Sequence, residues 1–353
     1  MKAVYINEQG DVDKLLYGDL PDPAPGPGEV LVRVRAAALN HLDIYARSGS
    51  ARVRVGPFPH ILGSDMAGEV SALGPGVQGL HVGERVVVDY VVKCGMCDSC
   101  LAGQDEFCRR PLDMGIHLPG GYAQYVKAPL ANVHTIADSL SFEEAAAIPL
   151  VFHTAWHCLV TQVRLRPGET VLVNAAGGGV GSAAIQVARA MSARVLVTAG
   201  SDAKIARAKE LGAEDGVNYA ATPAFSQRIR ELTQGDGVDV VFDSVGGSLW
   251  DESFNSLKVG GRLVNCGVVG GHRANLHLGL LFTRCITIVG SGGPVTLGSV
   301  GRSRREFVEF MRLVNRGILR AVVGRVFPLE QARDAHCLME SRDFFGKIVL
   351  RVP

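Results

Sequence analysis

No apolar run in this chain approaches the roughly 20 residues that a membrane span needs. The opening stretch, MKAVYINEQGD, lacks the apolar core of a signal peptide. Excess charge of one sign is missing too. Thirty-six Lys and Arg face 35 Asp and Glu for a net charge of +1, which leaves no electrostatic footprint for nucleic acid. Neither an internal repeat nor a low-complexity segment is present. These absences predict a cytoplasmic globular protein with neither membrane nor nucleic acid as a partner. At 353 residues the chain is too long for one compact core and suits two domains. A composition of 47% hydrophobic and 20% charged residues is that of an ordinary soluble enzyme.

What is present begins with cysteine. There are eight, and four of them, Cys94, Cys97, Cys100 and Cys108, fall within the single stretch CGMCDSCLAGQDEFC. Spacing this tight points to metal. The other four, Cys158, Cys266, Cys285 and Cys337, stand alone in the sequence. In a reducing compartment they read as buried thiols that behave like small hydrophobes.

Texture changes along the chain. The first 130 or so residues carry short alternating runs, VLVRVRAAA and RVVVDYVV, punctuated by glycine and proline, and they predict β-structure. Ser141 and Glu144 then stand at capping-box spacing and open a helix. Beyond them, continuous apolar runs (ETVLVNAA, ARVLVTAG, GVDVVFDSV, GGRLVNCGVV) alternate with helix-like ones. That alternation predicts a parallel sheet covered on both faces. The C-terminal FGKIVLRVP is again β-like. The expected fold class is α/β. A doubly wound parallel sheet, residues 141–290, is inserted into a β-rich domain made of residues 1–140 and 291–353.

The stretch VLVNAAGGGVGSAAIQVARA reads as strand, glycine turn and helix. It fits A-x-G-x-x-G, with Ala176 at the usual first-glycine position and Gly178, Gly179, Val180 and Gly181 completing the loop. Such a loop lets the backbone approach a pyrophosphate whose charge rests on the following helix N-terminus. The strand–turn–helix setting makes the signal stronger than a lone glycine turn that binds nothing. An NAD site wants an acidic side chain at the end of the next strand. Ala199 and Gly200 stand there instead, followed by Ser201 and Lys204, a hydroxyl and a cation suited to a 2′-phosphate. Asp202 sits one position late and reads as a helix cap. This arrangement favours NADPH over NADH.

Taken together, PGPGEVLVRV, GSDMAGEV, VGERVVV, the four cysteines, GGYAQYV, AAGGGVG, AKELGA, VFDSVGG, GRLVNCG and FGKIVL resemble the medium-chain dehydrogenase/reductase superfamily over nearly the whole length. The resemblance implies a GroES-like catalytic domain with a zinc lobe at about residues 93–109 and a Rossmann cofactor domain. It implies an active site in the cleft between them and a homodimer or homotetramer. It also makes Cys94, Cys97, Cys100 and Cys108 the ligands of one structural zinc per chain. Four thiolates close a tetrahedral site and leave no position for water or substrate.

Metal-dependent alcohol dehydrogenases of the superfamily bind a second, catalytic zinc, and here this sequence departs from them. Asn40, Ser64 and Leu150 occupy the three ligand positions, with Asp65 beside Ser64. An amide, a hydroxyl and an alkyl group do not make a zinc site. His41, His60, His153 and His157 read as ordinary surface or core histidines.

NHLDIYARSG instead resembles the zinc-independent quinone reductase and enoyl reductase branches, although many quinone reductases lack a cysteine lobe. The resemblance implies hydride transfer to a small-molecule electron acceptor, a quinone or α,β-unsaturated carbonyl, enoyl thioesters included. Such an acceptor needs only hydrogen-bond donors for its developing oxyanion. Asn40 is the expected donor, Tyr45 a donor or apolar wall, and Asp43 the group that orients them or touches the cofactor. As plain structure, Asp43 and Tyr45 would be a buried turn residue and a packing aromatic. Gly267 and Val268 are expected as backbone contacts to the cofactor, and Tyr219 near the 2′-phosphate. The loops ARVRVGPFPH and SGGPVTLG are expected to line the substrate pocket. A zinc alcohol dehydrogenase with unusual ligands and a non-catalytic cofactor-binding protein are the alternatives.

Overall fold

The computed structural model describes residues 1–50, 53–292 and 303–353. The chain divides into two compact units: residues 1–150, 293–315 and 321–353 in one, and residues 151–292 with 316–320 in the other. Residues 141–150, assigned from the sequence to the inserted part, fall with the first unit. The capping box that opens this stretch forms: Ser141 Oγ accepts from the Glu144 backbone N–H at 3.2 Å, and Glu144 accepts from the Ser141 N–H at 3.0 Å.

In the first unit the alternating runs become a seven-stranded sheet around the long strand Glu29–Ala38. Every second residue of that strand, Val30, Val32 and Val34, is fully buried, as a period of two requires of a sheet covered on one face. The strand pairs antiparallel with Asp65–Leu73 on one side and with the C-terminal strand Lys347–Arg351 on the other. The first long strand and the last strand therefore lie side by side in one sheet. Ala38 lies opposite Asp65 in the first pairing and opposite Val349 in the second. Extending the second register by two residues sets Lys347 across from Asn40. Register alone thus gathers residues 40, 65 and 347 where the central strand ends.

The second unit holds a six-stranded parallel sheet. Its spatial order is Asp215–Asn218, Arg194–Ala199, Thr170–Val173, Val238–Asp243, Leu257–Asn265 and Thr287–Gly290. By order of appearance this is 3-2-1-4-5-6, the doubly wound arrangement. Right-handed crossovers that reverse direction at the first strand send helices to both faces. The central strands accordingly bury every side chain from Val171 to Val173 and from Val240 to Asp243. Among the described residues no helix is long and apolar enough to cross a membrane.

Candidate functional site

At the carboxyl end of Thr170–Val173 the chain turns sharply into the helix Gly179–Ala190. The left-handed residue of this turn is Ala175, with φ +53°, one position before Ala176, which the sequence placed at the critical first position. Ala176 continues sheet pairing, donating its N–H to Thr198 O at 3.0 Å. Gly178 is the helix N-cap, and the Ser182 N–H donates to its carbonyl at 2.9 Å. The two outer glycines are glycine for different reasons. A Cβ on Gly181 would lie 2.4 Å from Ala175 O, so close helix–strand packing demands glycine there. A Cβ on Gly178 would meet only Ala175 O, at 3.6 Å. Packing would tolerate it, so packing does not explain glycine at Gly178, whose bare backbone leaves the loop open beside the helix N-terminus. Gly179 and Val180 form the first turn of that helix.

The next strand delivers Gly200, Ser201 and Lys204 to one place. A Cβ on Gly200 would stand 3.1 Å from the Tyr219 hydroxyl, so glycine makes room for the tyrosine. Tyr219 is held by its N–H on Ala199 O at 3.0 Å. The helix cap here is Ser201, not Asp202 as the sequence suggested: Ser201 Oγ accepts from the Lys204 backbone N–H at 3.4 Å. An accepting hydroxyl keeps its own proton to donate. Asp202 starts the helix, and its carboxylate takes an N–H from the Asn218 side chain at 3.1 Å. Asp202, the acid that next follows the strand along the chain, is therefore hydrogen-bonded within the protein. Gly267 and Val268 lie on a loop held by Asp243 and Asn265. Asn265 Nδ2 donates to both Asp243 Oδ2, at 3.0 Å, and Gly267 O, at 2.9 Å. The Val268 carbonyl accepts the Gly271 N–H at 3.0 Å.

In the first unit, the sulfur atoms of Cys94, Cys97, Cys100 and Cys108 all lie within 4.8 Å of one another. Among the described residues this is the one group of three or more His, Cys, Asp or Glu side chains arranged to hold a metal ion. Backbone N–H groups of Arg109 and Cys100 lower the Cys97 thiol to about 6, while burial pushes Cys100 up to about 12. Four sulfurs this close cannot all ionise without a cation among them, and a tetrahedral divalent ion suits the set.

The helix His41–Ser48 carries the other candidates and ends on Gly49, left-handed at φ +71°. Asp43 is completely buried and Asn40 is 6% exposed, while Tyr45 is half-buried. Asp43 Oδ2 accepts the Asn40 backbone N–H at 2.7 Å. Fully buried, its carboxylate is turned toward the Asn40 backbone at the start of the helix. Asn40 Nδ2 donates to Asp65 Oδ2 at 2.9 Å, and Asp65 Oδ1 accepts the Leu150 N–H at 2.9 Å. Asn40 and Leu150, at two of the three ligand positions of the metal-dependent enzymes, thus meet on the Asp65 carboxylate. A residue the sequence did not single out completes the cluster. Lys347 Nζ donates to Leu39 O at 2.7 Å, Asn40 Oδ1 at 2.6 Å and Asp65 Oδ2 at 2.9 Å. A lone lysine inside the apolar FGKIVL was the signal, since lysine is almost never buried unpaired. Ser64 Oγ is buried with no hydrogen-bond partner among the described residues. His60 is buried against Gly115 O at 3.1 Å and His157 against Gln162 at 2.9 Å, as expected of structural histidines. Residues 51–52 and 293–298 of the expected pocket loops lie outside the described residues.

Comparison with known proteins agrees with this architecture. Residues 26–138 match the alcohol dehydrogenase GroES-like domain family and residues 179–316 the zinc-binding dehydrogenase family. Three relatives align over almost all of both chains. An NAD-dependent alcohol dehydrogenase of Sulfolobus acidocaldarius is 31% identical, covering 100% of each. An acryloyl-coenzyme A reductase of Metallosphaera sedula is 31% identical and a quinone oxidoreductase of Pseudomonas aeruginosa 33% identical, each covering 99% of both chains. A solved structure of an NAD-dependent alcohol dehydrogenase is 44% identical and covers 100% of both chains, with a TM-score of 0.93. The chain belongs to the medium-chain dehydrogenase/reductase superfamily and is an oxidoreductase of that family.

Proposed function

We propose that this chain is an NADPH-dependent reductase that acts without a catalytic metal and delivers hydride to a quinone or an α,β-unsaturated carbonyl, enoyl thioesters included. One observation carries the metal-free part. Asn40 Oδ1 and Asp65 Oδ2 already accept from the Lys347 ammonium, and Asp65 Oδ1 accepts the Leu150 N–H. What remains there is the Ser64 hydroxyl and the Leu150 side chain, which do not hold zinc. An acceptor that is already electron-poor needs only donors for its developing oxyanion. The second amide N–H of Asn40 is one. The Tyr45 phenol is another, and burial raises its pKa further from neutrality. Asp43 positions the Asn40 backbone.

NADPH supplies the hydride when bound. The Gly178–Gly181 loop would take its pyrophosphate, Ser201, Lys204 and Tyr219 its 2′-phosphate, and Gly267 and Val268 would line its path. The cysteine lobe would hold one zinc as a structural staple. By the same reading the enzyme works in the cytoplasm as a homodimer or homotetramer on a small-molecule acceptor.

The names of two relatives favour a second reading, a zinc-dependent alcohol dehydrogenase with atypical ligands. It would require a metal to displace Lys347 from Asn40 and Asp65. Zinc analysis of protein purified without chelators, with turnover assays on quinones, enones and alcohols, separates the two. About one zinc per chain and NADPH-dependent reduction of quinones or enones is expected. About two zinc ions with alcohol oxidation would overturn the proposal.

A further inference from the structure

An asparagine side chain ends in one oxygen and one NH₂ group, and a half-turn exchanges them. At Asn40 two buried charges decide which way the amide lies. Its oxygen accepts from Lys347 Nζ at 2.6 Å, and its nitrogen donates to Asp65 Oδ2 at 2.9 Å. Reversal would set N–H hydrogens against an ammonium and an oxygen against a carboxylate, both at contact distance. Asp65 is 0% exposed and Lys347 3%, so little water is present to soften either repulsion. The ammonium is held in turn, because its three hydrogens meet three acceptors, Leu39 O, Asn40 Oδ1 and Asp65 Oδ2. Among the described residues these contacts leave the second N–H of Asn40 without an acceptor.

We propose that Lys347 is a positioning residue for hydride transfer. Together with Asp65 it fixes the Asn40 amide so that its unspent N–H, and never its oxygen, faces the oxygen of the acceptor. A substrate whose oxygen gains negative charge as hydride arrives at carbon is thereby matched by a donor. With the amide reversed, the same oxygen would meet a lone pair. This inference deepens the reading of Asn40 as the acceptor's hydrogen-bond donor and rests on it.

The test uses Lys347→Met, which removes the charge and keeps the stem, and Lys347→Met/Asp65→Asn, which leaves no lone buried carboxylate and guards against misfolding. Both are compared with wild type and Asn40→Ala in NADPH-dependent quinone and enone reduction. The side-chain amide signals of ¹⁵N-asparagine-labelled protein are recorded in parallel. Each lysine variant is expected to lose kcat by about 100-fold with KM little changed. Lys347→Met should cost no further kcat in an Asn40→Ala background, because the donor is already gone. The Asn40 amide pair, identified by its loss in Asn40→Ala, should shift in the lysine variants. Folded variants that keep wild-type kcat, losses that add in the double variant, or an unchanged amide pair would each overturn the proposal. If wild type reduces no quinone or enone, the functional reading fails on its own. The amide signals then still decide whether Lys347 locks Asn40.

Discussion

Lys347 Nζ lies 2.9 Å from Asp65 Oδ2 across 282 positions of the chain, and both side chains are shut away from solvent. The pair is enclosed by further bonds: Leu39 and Asn40 complete the ammonium, and Asn40 and Leu150 complete the carboxylate. Such a pair contributes little net stability over an apolar substitute, yet half of it is costly to leave behind. Lys347→Met should therefore lower folding stability by about 3–5 kcal/mol. Lys347→Met/Asp65→Asn should recover a large part of that loss. Urea denaturation of both variants checks this, and equal losses would show that charge pairing is not what the site depends on.

Asp43 should make stability depend on pH. Burial, the largest cause, pushes its carboxyl up to about 7, against the Asn40 N–H and the Lys347 charge, with Asp65 adding to the rise. Between the unfolded value near 4 and about 7, the folded state binds more protons than the unfolded one. The stabilisation from this proton is complete below about pH 4 and is lost as pH rises through about 7. Asp43→Asn carries no such proton. Relative to wild type it should gain a few kcal/mol between about pH 5 and pH 8 in denaturation experiments. A difference that stays constant over that range would contradict the assignment.

Lys204→Ala should separate the two nicotinamide cofactors. A charge-assisted bond to a 2′-phosphate contributes about 1.5–3 kcal/mol, so KM for NADPH should rise roughly 10- to 100-fold. KM for NADH, which has no 2′-phosphate, should barely move. A parallel rise for both would place Lys204 in the scaffold of its helix and remove it from cofactor choice.

Cys97→Ser should abolish zinc binding at the lobe. Three thiolates and a hydroxyl are a much weaker tetrahedral set, so bound zinc should fall from about one per chain to near zero by elemental analysis. The lobe should then be cleaved by protease under conditions in which wild type survives. A variant that keeps its zinc would show that the metal sits elsewhere.

Much of this was readable without coordinates, because it depends on neighbours in sequence. The period-two pattern of VLVRVRAAA marks a strand wherever it stands, and Val30, Val32 and Val34 are buried accordingly. Continuous apolar runs alternating with amphipathic ones allow few outcomes besides a doubly wound parallel sheet. Cys94, Cys97, Cys100 and Cys108 are close along the chain, so their convergence within 4.8 Å needs only a local fold.

Other features depended on tertiary structure. The left-handed residue at the glycine turn proved to be Ala175, because turn geometry follows from how the helix packs on the strand and not from which residue is smallest. Ser201 holds the cap, while Asp202, the first residue of the helix, accepts from Asn218 of the neighbouring strand. The cluster around Asn40 is the clearest case. Its residue types were visible, and from them came the expectation that the site holds no zinc. Its occupant was not visible. Lys347 reaches Asn40 and Asp65 only because the last strand of the chain pairs with the first long one, in a register that sets Val349 opposite Ala38. Sequence determines which side chains are available. Where an ammonium finds three acceptors out of water is decided by strands that meet across the whole length of the chain.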